Sequence, residues 1–146
     1  MSYASNTIPF EVEWGQCDPA RIVWNPRFFE LFDRGTWMLF QEVLGVPRQN
    51  LAKHLGILSI PLVEAGAQFF APLAFGDSAE LISTITEFRR ASFIVSHKIF
   101  KGGKLAVDGS ETRVWAGHHP DDPSRMRATG IPSEIIDRFR GPSPDQ

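Results

Sequence analysis

A chain of 146 residues with a formal net charge of −2, 42% hydrophobic and 22% charged residues reads as one soluble globular domain spanning 1–146. At this length about 68–70% of the unfolded surface can be buried, so a true core is possible. The charge balance gives no reason to expect nucleic acid, no apolar run approaches the roughly 18 residues of a membrane span, and the lone cysteine, Cys17, excludes an intrachain disulfide and suits a reducing cytoplasm. The opening MSYASNTIPF has neither the basic nor the apolar region of a signal peptide, and only the tail GPSPDQ (141–146) has a disorder-prone composition.

In chain order, residues 8–14 alternate and predict a strand. Asn25-Pro26 then predicts a helix start, with Asn as N-cap and Pro at the first helical position. On a wheel at about 100° per residue, Arg27, Glu30, Arg34, Met38, Gln41 and Glu42 share one side. Phe28, Phe29, Phe32, Gly35, Thr36, Leu39, Phe40 and Val43 cover a wide opposite arc, which Trp37 and Leu44 extend. A helix this apolar needs cover over most of its circumference. Gly45 and Pro47 stop it. The rest reads as β. Residues 62–71 end at Pro72, Gly76-Asp77 make a turn, and 79–89 alternate. After a turn at 90–92, residues 93–100 run back to a hairpin at Lys101-Gly102-Gly103-Lys104, and a long strand follows at 105–116. HHPDDPS is a loop, 125–131 a short strand and 133–139 a short helix. The sum is an α+β fold, in which an antiparallel sheet curls around one long central helix.

The stretch CDPARIVWNPRFFELFD that opens this arrangement resembles the hotdog-fold acyl-CoA thioesterases, and within them the 4-hydroxybenzoyl-CoA thioesterase branch that carries an Asp before the central helix. Pro61-Leu62-Val63, APLAFGD, EFRRASF and RMRA extend the resemblance over roughly residues 8–132. It implies a hotdog fold, and a homotetramer built as a dimer of dimers with active sites at dimer interfaces. It also implies an acyl-CoA substrate with no separate cofactor. The Asp, here Asp18, would attack the thioester or activate water, while the backbone N–H at the helix start, here Asn25, polarises the carbonyl. Two positions depart from the pattern: Asn25 stands where an aromatic residue is familiar, and Ala91 where a third basic residue can follow the paired arginines.

The residue chemistry is compatible with that implication. A helix N-terminus offers free N–H groups and a positive dipole end to an oxyanion. Pro26 has no N–H, which leaves Asn25, Arg27 and Phe28 as donors. Asp18 can serve as nucleophile or as base for water, although Asp-Pro is also a common turn. Asp33, at the margin of the apolar arc, is either a rim carboxylate paired with a basic residue or a polar group at the end of an acyl pocket, the reading that the resemblance favours. Trp24 is a pocket wall or a core Trp, and Glu64 a solvent-facing strand residue or a second acid. Arg89 and Arg90, with Arg125 and Arg127, are candidates to bind the CoA phosphates. Cys17 is a small hydrophobe rather than a nucleophile. The HHPDD loop is polar rather than metal-binding, and His54 and His97 stand isolated. A hydratase would want a His on the central helix, which has none. A non-catalytic acyl-CoA-binding module is the remaining alternative, as is a thioesterase for short aliphatic chains.

Overall fold

The computed structural model describes residues 3–140. The composition-based expectation of a disordered tail at 141–146 lies outside them. The chain runs β1 (Ser5–Glu11), one 3₁₀ turn (Trp14–Gln16), α1 (Pro26–Leu44), α2 (Arg48–Leu55), β2 (Leu62–Phe69), β3 (Ser78–Phe88), β4 (Ser92–Lys101), β5 (Lys104–Val114), β6 (Ala116–His118), β7 (Met126–Ala128) and α3 (Ser133–Phe139). Five strands form an antiparallel sheet in the order β1-β3-β4-β5-β2, and β6 and β7 pair separately. The expected α+β hotdog arrangement is the one observed, with α1 packed against the sheet.

Local sequence accounts for most elements. Ala79, Leu81, Ser83 and Ile85 of β3, and Phe93, Val95, His97 and Ile99 of β4, alternate inward under α1. Gly102 and Gly103 adopt φ of 57° and 77° in the β4–β5 turn, which glycine enters without steric cost. Gly45 ends α1 at φ 69°, and its N–H closes on Gln41 O at 2.8 Å.

Several elements differ from the sequence expectation: β2 ends at Phe69 rather than 71, the strand expected at 105–116 divides into β5 and β6, and β7 covers only Met126–Ala128 of 125–131. The first strand spans Ser5–Glu11 rather than 8–14, and Trp14 belongs to the 3₁₀ turn. Helix α2 was not anticipated: in RQNLAKHL only Leu51 is fully buried, so there is no apolar periodicity to read.

The core has two apolar clusters stacked along α1. Phe28, Leu31 and Phe32 pack with Leu73, Leu81, Ile99 and Val107 near the helix start. Leu39 and Phe40 pack with Phe93, Trp115, Ile131 and Phe139 near its end. Between them lies a buried polar layer of Thr36, Ser83, His97 and Glu111. The edge strand β2 is different: every residue except Ala67 is exposed, and Leu62, Val63 and Phe69, with Phe70 just beyond its end, present large apolar surfaces.

Candidate active site at the start of the central helix

The loop that delivers Asp18 closes on itself before α1 begins. Asp18 N–H donates to Ile22 O at 2.9 Å, Arg21 N–H to Asp18 O at 2.9 Å and Trp24 N–H to Gln16 O at 2.9 Å, while Cys17 bridges to Val23. The Asp18 carboxylate accepts the Ala20 N–H at 2.8 Å, so the turn reading of Asp18-Pro19 is part of the geometry. Arg21 completes the turn with φ of 66°, the left-handed region that a non-glycine residue rarely occupies. The loop is tied to the next segment by Val23 N–H to Leu73 O at 2.9 Å and by the Ile22–Ala74 bridge. That segment is itself fixed by Asp77, which accepts from Ala74 N–H and pairs with Lys101, both at 2.8 Å. The Lys101 and Ala74 hydrogen bonds hold the Asp77 carboxyl below its ordinary value.

Of the three N–H groups available at the helix start, two are already used. Arg27 donates to Trp24 O at 2.8 Å and Phe28 to Asn25 O at 3.1 Å. The Asn25 N–H has no acceptor among the described residues. The Asn25 side chain does not cap the helix, and its backbone is already helical at φ −48° and ψ −42°, so its expected role as a side-chain N-cap is not met. The helix therefore presents one N–H at its positive end. Beside it opens a cleft of about 260 Å³ lined by Ile22, Val23, Asn25, Phe28, Phe69 and Phe70, among others.

The remaining candidates fall in different places. Trp24 is 53% exposed and carries the Arg27 guanidinium 5.9 Å from its ring centroid, so it is no core Trp. Glu64 faces solvent on β2. Cys17 is half-buried, its thiol 3.6 Å from Glu13 O. Arg89 pairs with Glu87 at 2.7 Å, and Arg90, Arg125 and Arg127 are exposed. Backbone hydrogen bonds from Ile131 N–H to Arg90 O and from Trp115 N–H to Ala91 O, with β6–β7 pairing, gather both basic clusters at one end of the sheet. That end lies across the length of β3 from Asp77 and Asp18, eleven strand residues or roughly 35 Å. A single protomer does not bring the arginines to Asp18. In the HHPDD loop, His118 Nδ1 donates to Pro123 O at 2.9 Å and Asp122 accepts from Ser124. Among the described residues no group of three or more His, Cys, Asp or Glu side chains is placed to hold a metal.

Asp33 is not isolated. Its Oδ1 accepts from Arg113 at 2.9 Å, and its Oδ2 lies 3.9 Å from Arg48 of α2. Arg113 leads into the buried polar layer, where the sequence had suggested only an isolated His97. Glu111 accepts from Thr36 at 2.6 Å, from His97 Nε2 at 2.9 Å and from Arg113 at 2.8 and 3.1 Å. His97 Nδ1 meets Ser83 Oγ at 2.8 Å, and its ring stacks on Phe32 at 4.8 Å. Because Glu111 is an acceptor, Nε2 carries the proton toward it. Burial alone would raise the Glu111 carboxyl, but hydrogen bonds from His97 and Arg113 lower it to about 2. The same pairing holds Arg113 above its ordinary value against the opposing effect of burial. Ser83–His97–Glu111 has the connectivity of a hydrolytic triad without its function: all three are at most 2% exposed, and Gly35 of α1 lies directly over Ser83 and His97. No substrate reaches that serine.

Comparison with known proteins places the chain in a family and a fold. Residues 12–139 match the Thioesterase-like superfamily. The chain is 30% identical over 138 residues to the 4-hydroxybenzoyl-CoA thioesterase of Pseudomonas sp. (strain CBS-3), covering 91% of this chain and 96% of that enzyme. The solved structure of the Pseudomonas 4-hydroxybenzoyl CoA thioesterase superposes with a TM-score of 0.81 at 29% identity, covering 92% of this chain and 99% of that one. A gentisyl-coenzyme A thioesterase structure superposes at 0.77 with 29% identity, covering 93% and 100%. The chain belongs to the Thioesterase-like superfamily and is an enzyme of the acyl-CoA thioesterase class.

Proposed function

We propose that the enzyme hydrolyses an aromatic acyl-CoA, of which 4-hydroxybenzoyl-CoA is the model, with Asp18 as nucleophile or general base and the Asn25 N–H as the oxyanion donor. The observation that carries this reading is the Asn25 N–H, left without an acceptor at the start of a 19-residue helix and beside an aromatic cleft. As charge develops on the thioester oxygen, that donor and the helix dipole stabilise it more than they stabilise the ground-state carbonyl. Thiolate leaves, and water completes the hydrolysis either directly or at a mixed anhydride. Hydrolysis by this route calls for no cofactor.

The substrate would bridge two protomers. Edge strand β2 is exposed and apolar, and two copies joined antiparallel along it would run in opposite directions. The Leu62 end of one strand would then lie by the Phe69 end of the other. Leu62 is level with Arg113, and therefore with Asp33, whereas Phe69 lines the cleft beside Asn25. In such a dimer Asp33 of one protomer closes the acyl pocket of the other and can accept a ring hydroxyl. Trp24 flanks the pocket entrance, and Arg89, Arg90, Arg125 and Arg127 move toward the opposite site to receive CoA phosphates. A dimer of such dimers in the cytoplasm is the form we expect.

The test is release of free CoA, followed with a thiol-reactive dye, over benzoyl, 4-hydroxybenzoyl, phenylacetyl and short-chain acyl-CoA. Aryl thioesters should give the highest kcat/KM, and Asp18→Asn should abolish release while still binding substrate. Binding by the parent enzyme without release would make it a carrier module and overturn the reading.

A further inference from the structure

Asp33 is held from beneath by an arginine that has no freedom of its own. The Arg113 side chain is 5% exposed, and each arm of its guanidinium has a partner. Nη1 donates to Ile60 O at 2.9 Å, Nε and Nη2 grip both oxygens of Glu111, and Nη2 also reaches Asp33 Oδ1 at 2.9 Å. Glu111 is locked in turn by Thr36 of α1 and His97 of β4. The chain of contacts thus runs from the middle of the sheet, through one planar cation, to a carboxylate that is 47% exposed on α1. Its Oδ2 faces only Arg48 at 3.9 Å, too far for a hydrogen bond.

We propose that Arg113 is a positioning residue for acyl-group recognition: by anchoring Oδ1 of Asp33 it aims Oδ2 at the hydroxyl of an aromatic acyl group. The inference rests on the assignment of Asp33 to the acyl pocket and adds what makes that subsite directional. A free aspartate on a helix surface samples several rotamers, and a hydrogen bond from a ligand must first order it. Here the ordering is complete before substrate arrives. Lysine could not substitute, because a point ammonium cannot serve Ile60 O, both Glu111 oxygens and Asp33 together. Buried Glu111 would retain the ammonium and release Asp33.

The experiment compares kcat/KM for 4-hydroxybenzoyl-CoA with that for benzoyl-CoA in the parent, Arg113→Lys, Asp33→Asn, the double variant and Asp33→Glu. A hydrogen bond to a charged acceptor is worth about 10- to 150-fold. Arg113→Lys should therefore lose at least about tenfold of the hydroxyl preference, mostly through KM, and the double variant should lose no more than Asp33→Asn alone. Asp33→Glu keeps the charge and leaves the buried Glu111–Arg113 pair untouched, so it should fold, yet it displaces the carboxylate and should lose the preference too. If Arg113→Lys fails to fold, the Asp33→Glu result decides alone. Retention of the preference in a folded Arg113→Lys, or in Asp33→Glu, overturns the proposal. Failure of the hydrolase reading has a separate signature, no hydrolysis of either thioester by the parent. Calorimetric binding of the two acyl-CoAs to Asp18→Asn and to Asp18→Asn/Arg113→Lys would then still measure the preference.

Discussion

Asp18→Asn retains the shape of the side chain and an oxygen to accept the Ala20 N–H, so the turn should survive while basicity is lost. Positioned acid–base or nucleophilic groups contribute about 10²- to 10⁴-fold, so kcat should fall by at least roughly a hundredfold, ~2.7 kcal/mol of barrier. KM should move much less, because the cleft is unchanged. Steady-state kinetics alongside a thermal melt separates the outcomes: near-normal turnover in a folded variant would remove Asp18 from the mechanism, and loss of folding would leave it only the turn. Glu111 supplies a second test at this scale. Its carboxyl is lowered from 4.5 to about 2 in the folded protein, so it stabilises the fold fully above pH 4.5 and that contribution disappears as pH falls from 4.5 toward 2. The shift corresponds to about 3 kcal/mol. Urea titrations across that window should show the parent losing stability steeply, whereas Glu111→Gln, weaker at neutral pH because Arg113 keeps only the half-exposed Asp33 as its anion, should show a shallower slope. Equal slopes would assign the acid sensitivity to other carboxylates. The turn at Asp18-Pro19 was legible in the sequence because Asp-Pro is a local turn signal. The Glu111–His97–Arg113 layer was not, since its members come from different strands and meet only through sheet register.

The long helix was readable from its own sequence: a wide apolar arc ended by glycine fixes both its length and its burial. The wheel also included Gly35 in that arc, but only packing shows why glycine is there. A Cβ at Gly35 would collide with Ser83 Oγ and lie 3.0 Å from Leu81 Cδ2 and 3.2 Å from His97 Nδ1. On β5, Gly109 likewise leaves room for the Phe32 ring that stacks on His97. Helix and sheet therefore approach closely at the polar layer. Gly35→Ala gains roughly 1 kcal/mol of helix propensity. Overpacking against a hydrogen-bonded layer costs about 1–3 kcal/mol and should more than offset it. The denaturant midpoint should fall with the slope unchanged, whereas a rise would mean that helix and sheet can separate without disturbing the layer. The second helix remained unread for the opposite reason: α2 is amphipathic only weakly, and it is fixed by contacts such as Arg48 N–H to Gln41 Oε1 at 2.9 Å and the Arg48 guanidinium over Trp37 at 4.7 Å.

At the scale of the whole molecule, one protomer does not bring the candidate site residues together. Asp18 and the Asn25 N–H sit at one end of the sheet, while Asp33 is displaced along α1 and the four arginines gather at the far end. Composition and periodicity say nothing of how these would meet; only the family resemblance points to a dimer interface, and the proposed joining geometry involves two chains. Gly66 tests this directly. It lies near the middle of β2, where the two-fold axis of an antiparallel pair would pass, and a Cβ there meets nothing within 4 Å in the protomer. Gly66→Asp should therefore cost the protomer little beyond the weak strand propensity of aspartate. Across a two-fold axis, however, it sets two like charges against each other on an apolar edge. The variant should fold, elute as a monomer by light scattering at micromolar concentration and lose hydrolysis, because neither acyl pocket has its second wall. Activity should return in part as protein concentration rises, and salt should assist by screening the repulsion. A folded monomer with parent-like turnover would show that one chain suffices, and the role given to Asp33 and the arginines across the β2 edge would fall with it.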